Sequence, residues 1–480
     1  LNSKPSNSAS NIFNGLIYLS VFIAFLTFVL KSPGLISRLV SPVQVQQEEA
    51  VNLEFGRLIA AGQSLYPDIR QGGPYIHCSY PPLFPYLESQ FLKSSPNPWL
   101  PGRLLAWVGY LGCGVLIAFA GWKRWGLNAW VFLLPVLLWI SPTWATWGSM
   151  VRMDTLLLFV NFSAFLILLW NAERAEGNTK SFIWFVGGLL NAVAILMKPT
   201  ALTLTLVMML WAVLKRKPKD LLWFLLGALG PVSIFLVVAQ WQTGGMYWIH
   251  TIRWAALGFS PERFFYFMFH GFFKEAGWLL ILVLLTAGTK KLPILLKLQL
   301  ALSFLSLWTL SRDGSAENYY MEFVLYGLFA VGEGWGKKDA ESEKLFWLPY
   351  AGGLLLLTGT ILLSLAPSPS VPSADEIKMK ESVAAIYQKG QYHLALDNDF
   401  PVMADKPIWY QPSGIISIVQ AGAWDPAPLI RDIQVRKFTT VEFYDLPHQT
   451  LYPPIVERAV LQNYRIGWKA YGRVWYVPKT

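Results

Sequence analysis

Two adjacent carboxylates, Glu48 and Glu49, follow the first apolar run of this 480-residue chain and open a long polar loop that later reads Tyr80-Pro81-Pro82-Leu83. An acid at a membrane surface is equipped to take a proton from a hydroxyl. The plain alternative is a pair of solvated loop acids. Further charged residues stand at the ends of other apolar runs. Arg152 and Asp154 precede the fourth, Lys198 separates the fifth from the sixth, and Arg312, Asp313, Glu317, Asn318 and Tyr319 lie at the end of the ninth and the start of the tenth. Arg253 and Arg263 sit in the aromatic-rich stretch 241–273. If the runs alternate across a bilayer, all of these share one membrane face with Glu48 and Glu49.

Lysine and arginine at that face oppose the usual bias, and ionisable groups near membrane depth are costly and commonly functional. Cations beside carboxylates suit an anionic, lipid-linked substrate. The cations would hold a phosphate, arginine doing so bidentately. Each residue also has a plainer role. Arg152 and Asp154 could be an ion pair or snorkelling side chains, and Lys198 a helix cap. Asn318-Tyr319-Tyr320 could form an aromatic belt, and Tyr80-Pro81-Pro82 a rigid turn. Tyr66 and His77 complete the loop candidates; His77 has no partner at metal-ligand spacing.

The elements that must position these residues are membrane spans. The chain is 54% hydrophobic and 14% charged, where a soluble domain carries nearer a quarter charged residues. About eleven apolar runs are long enough to consider: 12–30, 103–122, 129–149, 155–170, 182–197, 199–214, 221–240, 276–287, 293–310, 319–332 and 346–366. The fifth and sixth are split only by Lys198-Pro199, so one proline-kinked helix is an alternative there. Lys123-Arg124, Arg174 with Lys180, Lys215-Arg216-Lys217, Lys290-Lys291 and Lys337-Lys338 fall on the opposite side, which is therefore expected to be cytoplasmic. The N-terminus is then cytoplasmic, and the first loop and everything after residue 366 are extracytoplasmic. The net charge of +10 is accounted for by this basic rim; no basic-aromatic module accompanies it, which argues against a nucleic-acid partner. Cys78 and Cys113 do not make a disulfide framework. The first run lacks a small-residue cleavage site and is expected to remain as an uncleaved anchor.

Three parts are expected: a membrane domain over 1–366 with a long first outer loop (31–102), a Pro/Ser linker over 367–373, and an extracytoplasmic α/β domain over 374–480. Within the loop, 47–61 carries Val51, Phe55, Leu58 and Ile59 at helical spacing and is expected to lie along the membrane surface. In the C-terminal part, 375–388, 426–435 and 454–462 read as helices, and 392–396, 437–444, 464–469 and 473–477 as strands.

The order of these motifs resembles a known superfamily. An acidic pair is followed by Gly62-Gln63-Ser64-Leu65-Tyr66 and Tyr80-Pro81-Pro82-Leu83. Then come Arg152-Met153-Asp154-Thr155-Leu156-Leu157, Met197-Lys198-Pro199-Thr200-Ala201-Leu202 and Gly314-Ser315-Ala316-Glu317-Asn318-Tyr319. This is similar to the GT-C membrane glycosyltransferases, in particular bacterial relatives of protein mannosyltransferases and of the lipid A aminoarabinose transferase (glycosyltransferase family 39-like). The resemblance implies a polytopic α-helical GT-C fold and a polyprenyl-phosphate sugar donor. It also implies an inverting transfer to a hydroxyl of a lipid, glycan or protein acceptor in the bacterial inner membrane. It makes Glu48 or Glu49 the base, where many relatives have Asp-Glu. Arg152, Asp154, Lys198, Arg312, Glu317, Asn318 and Tyr319 become donor-binding candidates. Many members carry His or Lys where this chain has Tyr80. A divalent metal is possible but not expected.

A transporter or flippase of lipid-linked sugars would place its site near the midplane between repeated halves, which this chain lacks. An O-antigen ligase is another lipid-dependent possibility. A phosphoethanolamine transferase would need a metal set in the outer domain; Asp397, Asp399, Asp405, His393 and His448 lack a ligand spacing. A plain membrane anchor leaves the one-sided charge unexplained.

Overall fold

The computed structural model describes residues 7–46, 48–174, 180–256, 258–289, 292–336, 348–445 and 451–480. The basic pairs at 290–291 and 337–338, Gln47, residues 346–347 of the last apolar run, and His448 lie outside the described residues.

Helices dominate. In chain order they are α1 (Asn7–Val40), α2 (Glu49–Ala60), α3 (Leu83–Leu92), α4 (Leu100–Trp125), α5 (Ala129–Ile140), α6 (Pro142–Trp147), α7 (Asp154–Ala172), α8 (Ser181–Ile195), α9 (Leu202–Lys215) and α10 (Pro218–Gln242). They continue with the single turn α11 (Met246–Trp248), then α12 (Pro261–Phe267), α13 (Phe273–Thr289), α14 (Ile294–Leu305), α15 (Met321–Trp335) and α16 (Leu348–Leu365). Every expected run holds a helix. Among the described residues, however, seven helices are long and apolar enough to cross a membrane, so the count of eleven is not established. Helices α5, α8 and α9 are shorter, and α15 has 15 residues, all of them buried. Lys198 adopts an extended backbone (φ −159°, ψ 133°), as the residue before a proline prefers, and separates α8 from α9 as two helices.

The bundle is tied by close backbone approaches. Helix α1 packs on α16 and α5, α4 on α7, α7 on α8, and α8 on α10. A Cβ at Gly188 would lie 2.2 Å from the Phe224 carbonyl oxygen, and one at Gly227 2.2 Å from that of Phe185, so α8 and α10 meet through glycines. Helix α1 is about 51 Å long at ~1.5 Å per residue, well beyond a hydrocarbon core of ~30 Å. Its far end carries Arg38 to the loop side of the bundle.

The C-terminal segment continues with α17 (Ala374–Tyr387), α18 (Asp399–Met403), α19 (Pro412–Gln420), α20 (Ala427–Gln434) and α21 (Pro454–Asn463) around strands β1 (His393–Leu394), β2 (Thr440–Tyr444), β3 (Tyr464–Ala470) and β4 (Arg473–Pro478). The sheet order is β1-β2-β4-β3, with β1 parallel to β2 and the other pairs antiparallel. Inside it, Arg473 pairs with Asp397 and Glu442, and Lys380 with Asp399 at 2.8 Å.

Helix α2 departs from expectation. It is not a helix lying on a membrane surface: Val51, Phe55 and Leu58 are buried, but so are Asn52, Glu54 and Gly56 on its other faces. It packs on α3 and α18. Arg57 donates to Asp405 at 3.1 Å, and Ile408 N–H to Glu54 at 3.3 Å. Tyr75 and Tyr410 form a β-bridge. The first loop is thus sandwiched between the bundle and the C-terminal segment.

Candidate active site

The two carboxylates are held in opposite ways. Glu49, the first residue of α2, is 0% exposed, as is its partner Arg103 on α4. The guanidinium donates to it from Nε and Nη2, both at 3.0 Å. Val45 N–H and Val151 N–H donate to the same carboxylate, each at 2.7 Å. The remaining Arg103 donors go to the Ser41 and Val43 carbonyls. Glu49 therefore clamps the start of the loop, α4 and the 149–154 strip together. Arg38 adds a bond from Nε to Ser149 Oγ at 2.8 Å.

Glu48 is half-buried and sits at φ +77°, a left-handed conformation that costs a non-glycine residue roughly 1–2 kcal/mol. Such strain concentrates at functional positions. Its Oε1 accepts from Ser413 Oγ at 2.6 Å, and the residue borders a small cavity with Asn398 and Asp397.

The strip that Glu49 clamps carries Arg152 and Asp154 into a second group. Asp154 opens α7, and its Oδ1 accepts from Lys198 Nζ and from Asn318 Nδ2, each at 2.8 Å. Lys198 is 4% exposed. Its ammonium lies 4.7 Å from the Tyr319 ring centroid and 5.6 Å from that of Tyr80, within cation–π range. Arg152 lies over Trp147 at 5.2 Å. Two atoms here are buried without a partner, Asp154 Oδ2 and Arg152 Nε. Arg152 and Lys198 against one carboxylate leave the group at net +1. It can hold an anion by its cations and accept a hydroxyl at Asp154 Oδ2.

Local structure explains the convergence. Lys198 is carried in by the extended residue before Pro199, and Asn318 and Tyr319 by the 3-10 turn Glu317–Tyr320. Leu83 N–H donates to the Leu196 carbonyl at 3.3 Å, which sets the Tyr80-Pro81-Pro82 turn against the end of α8. Tyr66 supports the turn by donating its hydroxyl to the Tyr80 carbonyl at 2.8 Å.

Two expected donor-binding residues stand apart from this group. Arg312 donates to the Ala255 carbonyl and forms a β-bridge with Phe259. Glu317 is exposed. Nearby, Arg263 donates to the Ser315 carbonyl at 2.7 Å, and Arg253 is exposed. His77 is buried and donates from Nε2 to the His250 carbonyl at 2.8 Å. Burial pushes its imidazole down to about 4. His250 receives Cys78 N–H at Nδ1 and donates Nε2–H to Pro67 O, and is pushed down to about 3. The pair is a neutral brace for the loop. Among the described residues no three His, Cys, Asp or Glu side chains are grouped to hold a metal.

Sequence reasoning missed Arg103, Arg38, His250 and Glu88. Glu88 on α3 is fully buried with neither oxygen partnered, and burial and the nearby Glu49 hold its pKa well above the carboxylate range. The available signal was an ionisable residue at the edge of an apolar run.

No protein-family model and no curated protein sequence matches the chain. Solved structures do match. ArnT, the aminoarabinose transferase from Cupriavidus metallidurans, aligns in its apo state with a TM-score of 0.61 at 12% identity, over 96% of this chain and 97% of that one. The same protein bound to undecaprenyl phosphate gives 0.59 at 13% identity, over 96% and 98%. The Archaeoglobus fulgidus oligosaccharyltransferase tethered with an acceptor peptide gives 0.53 at 11% identity, over 98% of this chain and 74% of that one. Both are GT-C membrane glycosyltransferases. What this chain shares with them is the GT-C fold; in this chain it is an integral membrane helix bundle followed by a small C-terminal sheet.

Proposed function

We propose that this chain is a glycosyltransferase that moves a sugar from a polyprenyl-phosphate donor to an acceptor hydroxyl at the extracytoplasmic face, with Glu48 as general base. The observation that carries the reading is the meeting of Tyr80, Arg152, Asp154, Lys198, Asn318 and Tyr319, from four separate stretches of chain, around a net positive charge. The undecaprenyl phosphate bound to the ArnT neighbour of the same fold supports a lipid-phosphate ligand.

In this reading Arg152 and Lys198 hold the donor phosphate. Asp154 and Asn318 keep Lys198 in place, and Asp154 Oδ2 accepts a sugar hydroxyl. The acceptor oxygen attacks the anomeric carbon as the bond from that carbon to the phosphate oxygen breaks. The acceptor proton passes to Glu48, and the polyprenyl phosphate leaves with charge stabilised by the two cations. Glu49 is a positioning residue, since its carboxylate already accepts four donors and it fixes the strip bearing Arg152 and Asp154. Between the two acids, Glu48 is favoured because it is half-exposed beside a cavity.

The test is transfer by purified protein from radiolabelled polyprenyl-phosphate sugars to membrane-extracted acceptors. Glu48→Gln should lower the rate by roughly 10²–10⁴-fold, the usual share of general-base catalysis. Transfer at the unaltered rate would remove Glu48 from the role.

A further inference from the structure

A cavity that the donor site does not use measures about 320 Å³ and lies where the first loop, the 370–372 stretch and the C-terminal segment meet. That volume falls within the ~300–1,000 Å³ of small-molecule sites. Gln44, Val371, Glu376, Lys380 and Asp397 are among the residues that line it. A smaller pocket of about 80 Å³ shares Gln44 and Asp397 with it and is bordered by Glu48, Asn398 and Ser413.

The polar atoms presented here are mostly acceptors. Gln44, 6% exposed, spends its amide donor on Asp397 Oδ1 at 2.7 Å, and its Oε1 is buried without a partner. Asn398, 8% exposed, likewise has a buried, unpartnered Oδ1. Glu48, Asp397 and Glu376 add carboxylates. Lys380 lines the larger cavity but pairs with Asp399 and Glu376, and Arg473 pairs with Asp397 and Glu442. A phosphate or carboxylate would meet acceptors of its own kind, whereas a hydroxyl-rich molecule supplies the missing donors.

We propose that these two adjoining cavities are the acceptor subsite and that they take a hydroxyl-rich, non-anionic glycan, whose reacting hydroxyl is directed at Glu48. The inference rests on the transfer reading above and names its acceptor class. Gln44 Oε1 and Asn398 Oδ1 are the specificity-determining atoms, and Val371, 42% exposed on the cavity wall, marks the way in.

The test uses the purified full chain in detergent, with maltotriose as a neutral probe, trigalacturonate as an anionic probe of the same length, and undecaprenyl phosphate as a donor-site control. Maltotriose should bind saturably and at least ten times more tightly than trigalacturonate. Asn398→Leu and the surface variant Val371→Trp should each weaken maltotriose at least tenfold and leave undecaprenyl phosphate binding unchanged. Trigalacturonate binding as well as maltotriose, or maltotriose indifferent to Val371→Trp, would overturn the proposal. Undecaprenyl phosphate binding without maltotriose binding would overturn it and spare the transfer reading. Val371-sensitive maltotriose binding without undecaprenyl phosphate binding would uphold the glycan class and defeat the transfer reading.

Discussion

Replacing each of the two neighbouring acids by its amide should produce opposite failures. Glutamine at position 49 keeps one acceptor oxygen but turns an NH₂ group toward a site that now supplies four donors: two from Arg103, and one each from Val45 and Val151. It also leaves the Arg103 charge buried at 0% exposure without a counterion. Breaking a buried pair on one side costs about 3–5 kcal/mol. Glu49→Gln should therefore unfold several degrees below the wild type. Glu48 accepts one bond, from Ser413, and is half-exposed. Its amide can still accept that bond, so the loss should stay under about 1 kcal/mol, while the transfer rate falls by ~10²–10⁴. Thermal unfolding in detergent, followed by tryptophan fluorescence, and transfer rate below the transition separate the two. Glu49→Leu combined with Arg103→Met should regain part of the lost stability, because no charge is then left buried alone. Wild-type stability in Glu49→Gln would refute the clamp, and a stability loss in Glu48→Gln as large as that in Glu49→Gln would refute the division of labour.

The pH dependence of folding should show two opposed groups. Burial raises Glu54 to about 7. The unfolded chain gives up this proton near the ordinary carboxylate value, so its contribution is full in acid and is lost as pH rises through about 7. Glu54→Gln should remove that loss, raising relative stability at pH 8 over pH 5. His77 is pushed down to about 4, so its contribution is full above the ordinary imidazole value near 6.5 and is lost as pH falls toward 4. His77→Gln, which retains a donor for the His250 carbonyl, should reduce acid lability over that window in the same melts. Gly188→Leu should push α8 from α10, costing at least about 1–3 kcal/mol as overpacking, read as a lower melting temperature.

Much of the candidate site was legible because a polar residue at the end of an apolar run is conspicuous. Arg152, Asp154, Lys198, Asn318 and Tyr319 all announce themselves that way, and alternation of the runs places them at one end; Tyr80 was marked instead by the two prolines that follow it in the first outer loop. What alternation does not give is side-chain direction. Arg312 is six residues from Asn318, yet its guanidinium turns to the Ala255 carbonyl. The Glu49–Arg103 pair was hidden because Arg103 reads as the rim of a span and its partner lies 54 positions away. The spacing of apolar residues in α2 is the same for a helix on a bilayer and for one covered by other protein. Only the packing of α3 and α18 against it decides, and neither α18 nor α19 was expected. In the C-terminal part, alternating β-branched and aromatic residues marked the strands, and the observed β2, β3 and β4 fall close to the expected positions.

The most direct measurement of the central claim is equilibrium binding of undecaprenyl phosphate to the purified chain, beside Arg152→Ala and Lys198→Ala. If Arg152 and Lys198 hold the phosphate as proposed, each variant deletes charge-assisted hydrogen bonds worth about 1.5–3 kcal/mol, or roughly 10–150-fold in affinity. The account predicts saturable binding that each variant weakens by at least about tenfold. Binding that is absent, or that both variants leave unchanged, would contradict it.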